Sequence, residues 1–187
     1  MELRSWQTPD FDLTSGKVDH SKSYYYKETP GYSRACLKLW ELLGTNQIIW
    51  CFTDKDEHRY LGVGANVEWV IDVPRSDIKL IDTCIWEKII GSNYVPHELE
   101  LQWRSEARKQ SPYDKDRRKV IEDQKRAEYL APVPEDELWS QLFLSIDDVS
   151  DKKTTAIILH PIQKGWVVDQ VTHTTPMSPI GLDYYSN

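Results

Sequence analysis

The chain holds only 3 cysteines among 187 residues, an odd number, and none forms a Cys-x-x-Cys pair. A disulfide framework and a zinc knuckle both need more thiols at tighter spacing, so neither is expected. Cys51 and Cys84 lie in apolar stretches and read as small buried hydrophobes. No apolar run approaches the roughly 18 residues of a membrane-crossing helix. The opening Met1–Trp6 lacks the apolar stretch of a signal peptide, so the protein is expected to be soluble and cytoplasmic, with no membrane partner. No excess of basic residues exists either. The net charge is −7, which disfavours nonspecific contact with nucleic-acid phosphates, and direct nucleic-acid binding is not expected.

Catalytic signatures are equally scarce. There is no Gly-rich phosphate loop, since Gly62-Val63-Gly64 lacks a third glycine and a following helix start. Neither a Gly-x-Ser-x-Gly elbow nor a His-Glu-x-x-His helix occurs. His20, His58, His97, His160 and His173 are scattered without ligand spacing. Asp54, Asp56 and His58 alternate and would share one face of a strand. A solvated turn explains the trio as well as a cation does, and no metal site is assigned.

Large rings and helix signals are present in quantity. The chain has 8 Trp and 10 Tyr. Three apolar boxes surround tryptophans: Leu39–Gly44, Ile85–Gly91 and Leu138–Phe143. Their large residues recur at i, i+1 and i+4, which is one helical stripe. Gly44 and Gly91 are placed to close the first two helices. The boxes are expected to be three helices docking on one core. Strands are expected at Gln47–Thr53, Val67–Val73 and Asp77–Ile81, with Pro74 ending the second and Asp82 a plausible N-cap for the next helix. A weaker strand is expected at Tyr60–Gly64. Thr154–His160 and Trp166–Thr172, joined by five residues including Gly165, read as a hairpin.

The order of elements predicts an α+β fold with a mostly antiparallel sheet, several packed helices and a charged helical hairpin. A single domain, 1–187, is expected. Within it, 1–30 reads as an irregular arm with a short strand at Lys22–Lys27, 97–130 as a charged helical insertion, and 173–187 as a tail. Glu98–Glu128 holds nine basic and eight acidic residues. Ser111-Pro112 splits this stretch into two helices, most simply a solvated pair packing one narrow stripe. Ala131-Pro132-Val133-Pro134 is a stiff linker to the third box, whose first turn carries Glu135, Asp136 and Glu137.

Ile48–Trp50, Val67–Val73, Pro74, Asp82, Trp86 and Tyr94-Val95-Pro96 together carry a resemblance. This pattern, over about the first hundred residues, resembles an uncharacterised bacterial family of small domains of unknown function. Members open with a Trp-Thr-Ile-Gln-like segment, where this chain has Trp6-Gln7-Thr8. They share a strand ending in Val-Pro before an Asp and a Trp. These are packing motifs, so the resemblance implies no activity. Such families occur in phages and mobile elements, which implies a role in host–phage conflict.

Two functions follow as expectations. The first is a non-catalytic domain that binds another protein, with Trp103, Tyr113, Arg117, Arg118 and Tyr129 as binding residues, because Trp, Tyr and Arg are the commonest interface anchors. Its acidic remainder would suit a partner with a basic surface, and no cofactor is needed. The alternative is a small nucleotide-directed enzyme resembling ADP-ribosyltransferases, which use a Glu-x-Glu pair. Glu98 and Glu100, with upstream His58 and Arg59, would be catalytic and NAD the cofactor. Acids that compensate the dipole of a helix start give the same pattern. A homodimer through the Thr154–Thr172 hairpin edge is a third reading.

Overall fold

The computed structural model describes residues 1–7, 17–20, 26–27, 30–53, 67–93, 95–145, 147 and 154–172. It is an α+β protein built on a seven-stranded sheet in which every pairing is antiparallel. The strands are β1 (Glu2–Gln7), β2 (Ile49–Phe52), β3 (Val67–Asp72), β4 (Ile78–Asp82), β5 (Phe143–Leu144), β6 (Thr154–Ile158) and β7 (Val167–Thr172). Their spatial order is β5-β4-β6-β2-β1-β3-β7. The described helices are α1 (Pro30–Leu43), α2 (Thr83–Ile89), α3 (His97–Gln110), α4 (Lys115–Tyr129) and α5 (Glu135–Gln141), with short 3-10 turns at Arg75–Asp77 and Lys164–Trp166. Among these residues no helix is long and apolar enough to cross a membrane.

The chain forms two compact units, Met1–Thr83 with Phe143–Asn187, and Cys84–Leu142. In the first, the sheet cannot be flat. β3 and β4 are consecutive in the chain, yet β1, β2 and β6 lie between them. A flat sheet would set them about 19 Å apart. The connection Val73–Asp77, mostly a 3-10 turn, falls short of that reach. The register resolves the conflict. Val67 faces Thr172 and Ile71 faces Val167, while Ile78 faces Ile158 and Asp82 faces Thr154. β3 and β4 are one bent ribbon, β6 and β7 a second, and they run antiparallel along their length. Each ribbon turns a corner and passes from one half of the sheet to the other, as in orthogonally packed sheets. Pro74, which cannot donate to a ladder, marks the first corner.

One core fills the curl. Leu3, Ile49, Cys51, Trp69, Ile71, Ile78, Leu80, Ala156 and Ile158 belong to a single buried cluster drawn from five strands. The opposite face is covered too. Trp50 and Ile157 stand side by side across β2 and β6. The Tyr32 ring of α1 lies 6.2 Å from Trp50. All five residues of β6 are consequently buried, which explains its near-continuous apolar sequence. α1 buries Ala35, Cys36 and Leu39 and ends as its sequence predicts. Gly44 takes φ +69°, and Thr45 N–H donates to the Trp40 carbonyl at 3.2 Å. Gly91, at φ +74°, closes α2 in the same way through Ser92 and Glu87.

Several expectations are corrected. Glu2–Gln7 is not part of an irregular arm but a strand between β2 and β3. Of the expected strand Lys22–Lys27, only Tyr26 and Lys27 are described, and they are helical. Thr154–His160 and Trp166–Thr172 contain strands but do not pair as a hairpin. β6 pairs with β2 and β4, and β7 with β3, because the intervening segment is a corner rather than a reversal. The third box is cut short: Phe143 leaves α5 and enters β5. The first box lies in the sheet unit, and the second, with Leu138–Leu142 of the third, in the helical unit. There, Trp86 and Trp139 meet edge to face at 6.4 Å. The expected strand at Tyr60–Gly64 and the tail 173–187 lie outside the described residues.

Candidate functional site

The helical unit holds most of the residues singled out in the sequence. α3 and α4 form an antiparallel pair braced by charge. Arg126 donates to Glu100 at 2.9 Å. Lys125 meets Glu106 at 2.6 Å, and Arg104 lies 3.9 Å from Glu122. Gln102 adds a bond to Glu106 at 2.9 Å. The hydrogen bond from Lys125 is the main cause that holds the Glu106 carboxyl below its ordinary range, with Gln102 second. Ala107 is fully buried, and α4 buries no residue completely. Ion pairs therefore do for this pair much of what an apolar seam does elsewhere. The turn between the helices is fixed by Asp114, whose carboxylate accepts from the Arg117 backbone N–H at 2.9 Å.

The five expected binding residues separate into two groups. Trp103 and Tyr129 face each other across the pair with ring centroids 6.0 Å apart. The Lys88 ammonium of α2 lies 4.3 Å from the centre of the Tyr129 ring. These two rings are packing residues. Tyr113 sits in the turn and is 99% exposed. Arg117 is exposed and Arg118 half-buried on the first turns of α4.

The candidate catalytic residues do not assemble among the described residues. Glu98 and Glu100 occupy the first turn of α3, where acids complement the helix dipole. Glu100 is committed to Arg126, with its side chain only 12% exposed. The cleft beside it, lined by Trp103, Arg104, Glu122 and Asp123, encloses about 90 Å³. Small-molecule sites are usually several times larger. His58 and Arg59 lie outside the described residues, as do Asp54 and Asp56. Among the described residues, no three His, Cys, Asp or Glu side chains converge as metal ligands do.

One surface escaped the sequence reading. On the outer flank of α3, Leu101, Arg104, Ser105, Arg108 and Lys109 outline an open depression of about 410 Å³. Every wall comes from one helix, so it is a surface shelf rather than an enclosed pocket. Arg104, Arg108 and Lys109 follow Leu101 by three, seven and eight residues, the spacing of one helical face. That spacing was the available signal. It is hidden because the more conspicuous basic run, Lys115–Lys119, lies beyond the turn.

Fold and surface together define a curled antiparallel sheet protein carrying a charged helical hairpin. Set beside known protein families, curated proteins and solved structures, the chain matches none at a significant level.

Proposed function

We propose that the protein is a non-catalytic binding module that engages another protein through the α3–α4 hairpin. The observation that carries this reading is the Tyr113 ring, 99% exposed at the hairpin turn, four residues before the exposed Arg117. Tyrosine and arginine are the residue types most used as interface anchors. The ion pairs beneath them support the same reading, because a braced hairpin loses little freedom on binding. None of the three cysteines is in a disulfide, which suits a reducing compartment such as the cytoplasm.

The test is a photo-crosslinking residue placed at Tyr113 in the full chain, expressed in cells that make the protein naturally. A single partner band is expected, fading when Arg117→Glu is added. A crosslinker at Val168, on the exposed edge strand β7, is the control. Adducts at Val168 and none at Tyr113 would defeat the proposal.

A further inference from the structure

We infer that the outer flank of α3 is a docking surface for an acidic, amphipathic segment of a partner protein. This inference rests on the proposed binding role of the hairpin and specifies the chemistry of its partner.

The argument begins with where the charges are. Between Arg104 and Lys119 lie seven cationic and three acidic side chains, so this stretch carries +4 and the rest of the chain −11. Of the three acids, Glu106 is bound to Lys125 and Asp114 caps α4. On the flank itself, Arg108 and Lys109 are exposed and contribute to none of the ion pairs that brace the helices. Arg108 and Lys109 are adjacent on the shelf and together offer two cations to the carboxylates of a partner segment, to which arginine donates in a bidentate fork.

Leu101 decides between an acidic peptide and a nucleic acid. It is 50% exposed at the N-terminal end of the same shelf. A phosphate backbone offers nothing apolar to cover the leucine side chain, whereas an amphipathic segment offers an apolar residue flanked by acids. The charge sum points the same way: the chain as a whole carries −7, which repels a long polyanion, while a short segment meets chiefly the local cations within one Debye length, ~10 Å.

The experiment is fluorescence anisotropy with the full chain and three labelled probes. They are a peptide alternating paired Glu and Leu residues, its Gln–Leu counterpart, and a single-stranded oligonucleotide of similar length. The Glu–Leu peptide is expected to bind best. Arg108→Glu combined with Lys109→Glu should weaken it about tenfold or more, the effect of removing two exposed ion pairs. Leu101→Ser should weaken the Glu–Leu peptide and leave the oligonucleotide unchanged. Circular dichroism checks that each variant keeps its helices, and Arg108→Gln with Lys109→Gln replaces the reversal if it does not. Stronger binding of the oligonucleotide overturns the inference, as does equal binding of the Glu–Leu peptide by wild type and variant, or no binding at all. A specific adduct at Tyr113 together with failure of the peptide would remove this inference and leave the binding role standing.

Discussion

Ser5 is polar, wholly buried, and central to the curled sheet. Its hydroxyl donates to the Trp50 carbonyl at 2.9 Å and accepts from Gln7 at 2.8 Å, so its burial is compensated. Leu3 and Ser5 point inward while Glu2 and Arg4 do not, and Arg4 pairs with the buried Glu68 of β3. This explains why β1 was not legible in the sequence. With a serine on its core face and an ion pair on the other, it lacks the apolar alternation that marks a strand. Apolar neighbours made Cys51 legible as a buried thiol, but the same signal misled at Cys84, which is half-buried. Burial pushes the Cys36 and Cys51 thiols up to about 12, so thiolate is scarce at neutral pH. Iodoacetamide should therefore modify Cys84, which is only half-buried, before either of the others. Mass spectrometry of the native protein should show one addition, rising to three in denaturant.

At the scale of elements, the glycine stops of two helices were readable and strand partners were not. Gly44 and Gly91 act through bonds within a few residues, and local sequence encodes such bonds directly. The pairing of β6 with β2 and β4 depends on residues far away in the chain, so the local hairpin signal misled. The hairpin of helices was legible as charge, but which acids meet which bases was not. Two of its braces differ in burial, and this gives a measurable contrast. Arg126→Ala strands the largely buried Glu100 carboxylate and should destabilise the protein by about 1–2 kcal/mol in urea titrations. Lys125→Ala should cost less than Arg126→Ala, since its pair is more exposed and better screened by water. The Lys125 contribution should also fade in acid. The folded-state pKa of Glu106 is depressed, so its stabilisation is present above the ordinary carboxyl value of 4.5 and is lost as pH falls below it.

Across the whole molecule, burial is uneven. The sheet has a continuous buried cluster, whereas α3 buries one residue and α4 none. Native-state hydrogen exchange should accordingly find the slowest amides in β2, β3 and β6, with those of α4 exchanging orders of magnitude sooner. An Ile157→Ala substitution, which opens a cavity at a fully buried site, should lower stability by about 2–5 kcal/mol in denaturant titrations and accelerate the sheet amides. The candidate site was half legible at this scale. Tyr113 and Arg117 stood out by residue type, while the shelf around Leu101 emerged only when the acids around it were seen to be engaged in braces and a cap.

The pairing of Ile81 with Phe143 has a consequence for how such a protein can change. Residues 84 to 142 leave the sheet and return to it at neighbouring positions, about 5 Å apart between Cα atoms. To the sheet, the whole helical unit is the loop of a β4–β5 reversal. Loop length adds little entropy of closure beyond the first few residues. Different inserts could therefore be exchanged between the same two strands, letting the recognition surface diverge while the frame that carries it is inherited intact.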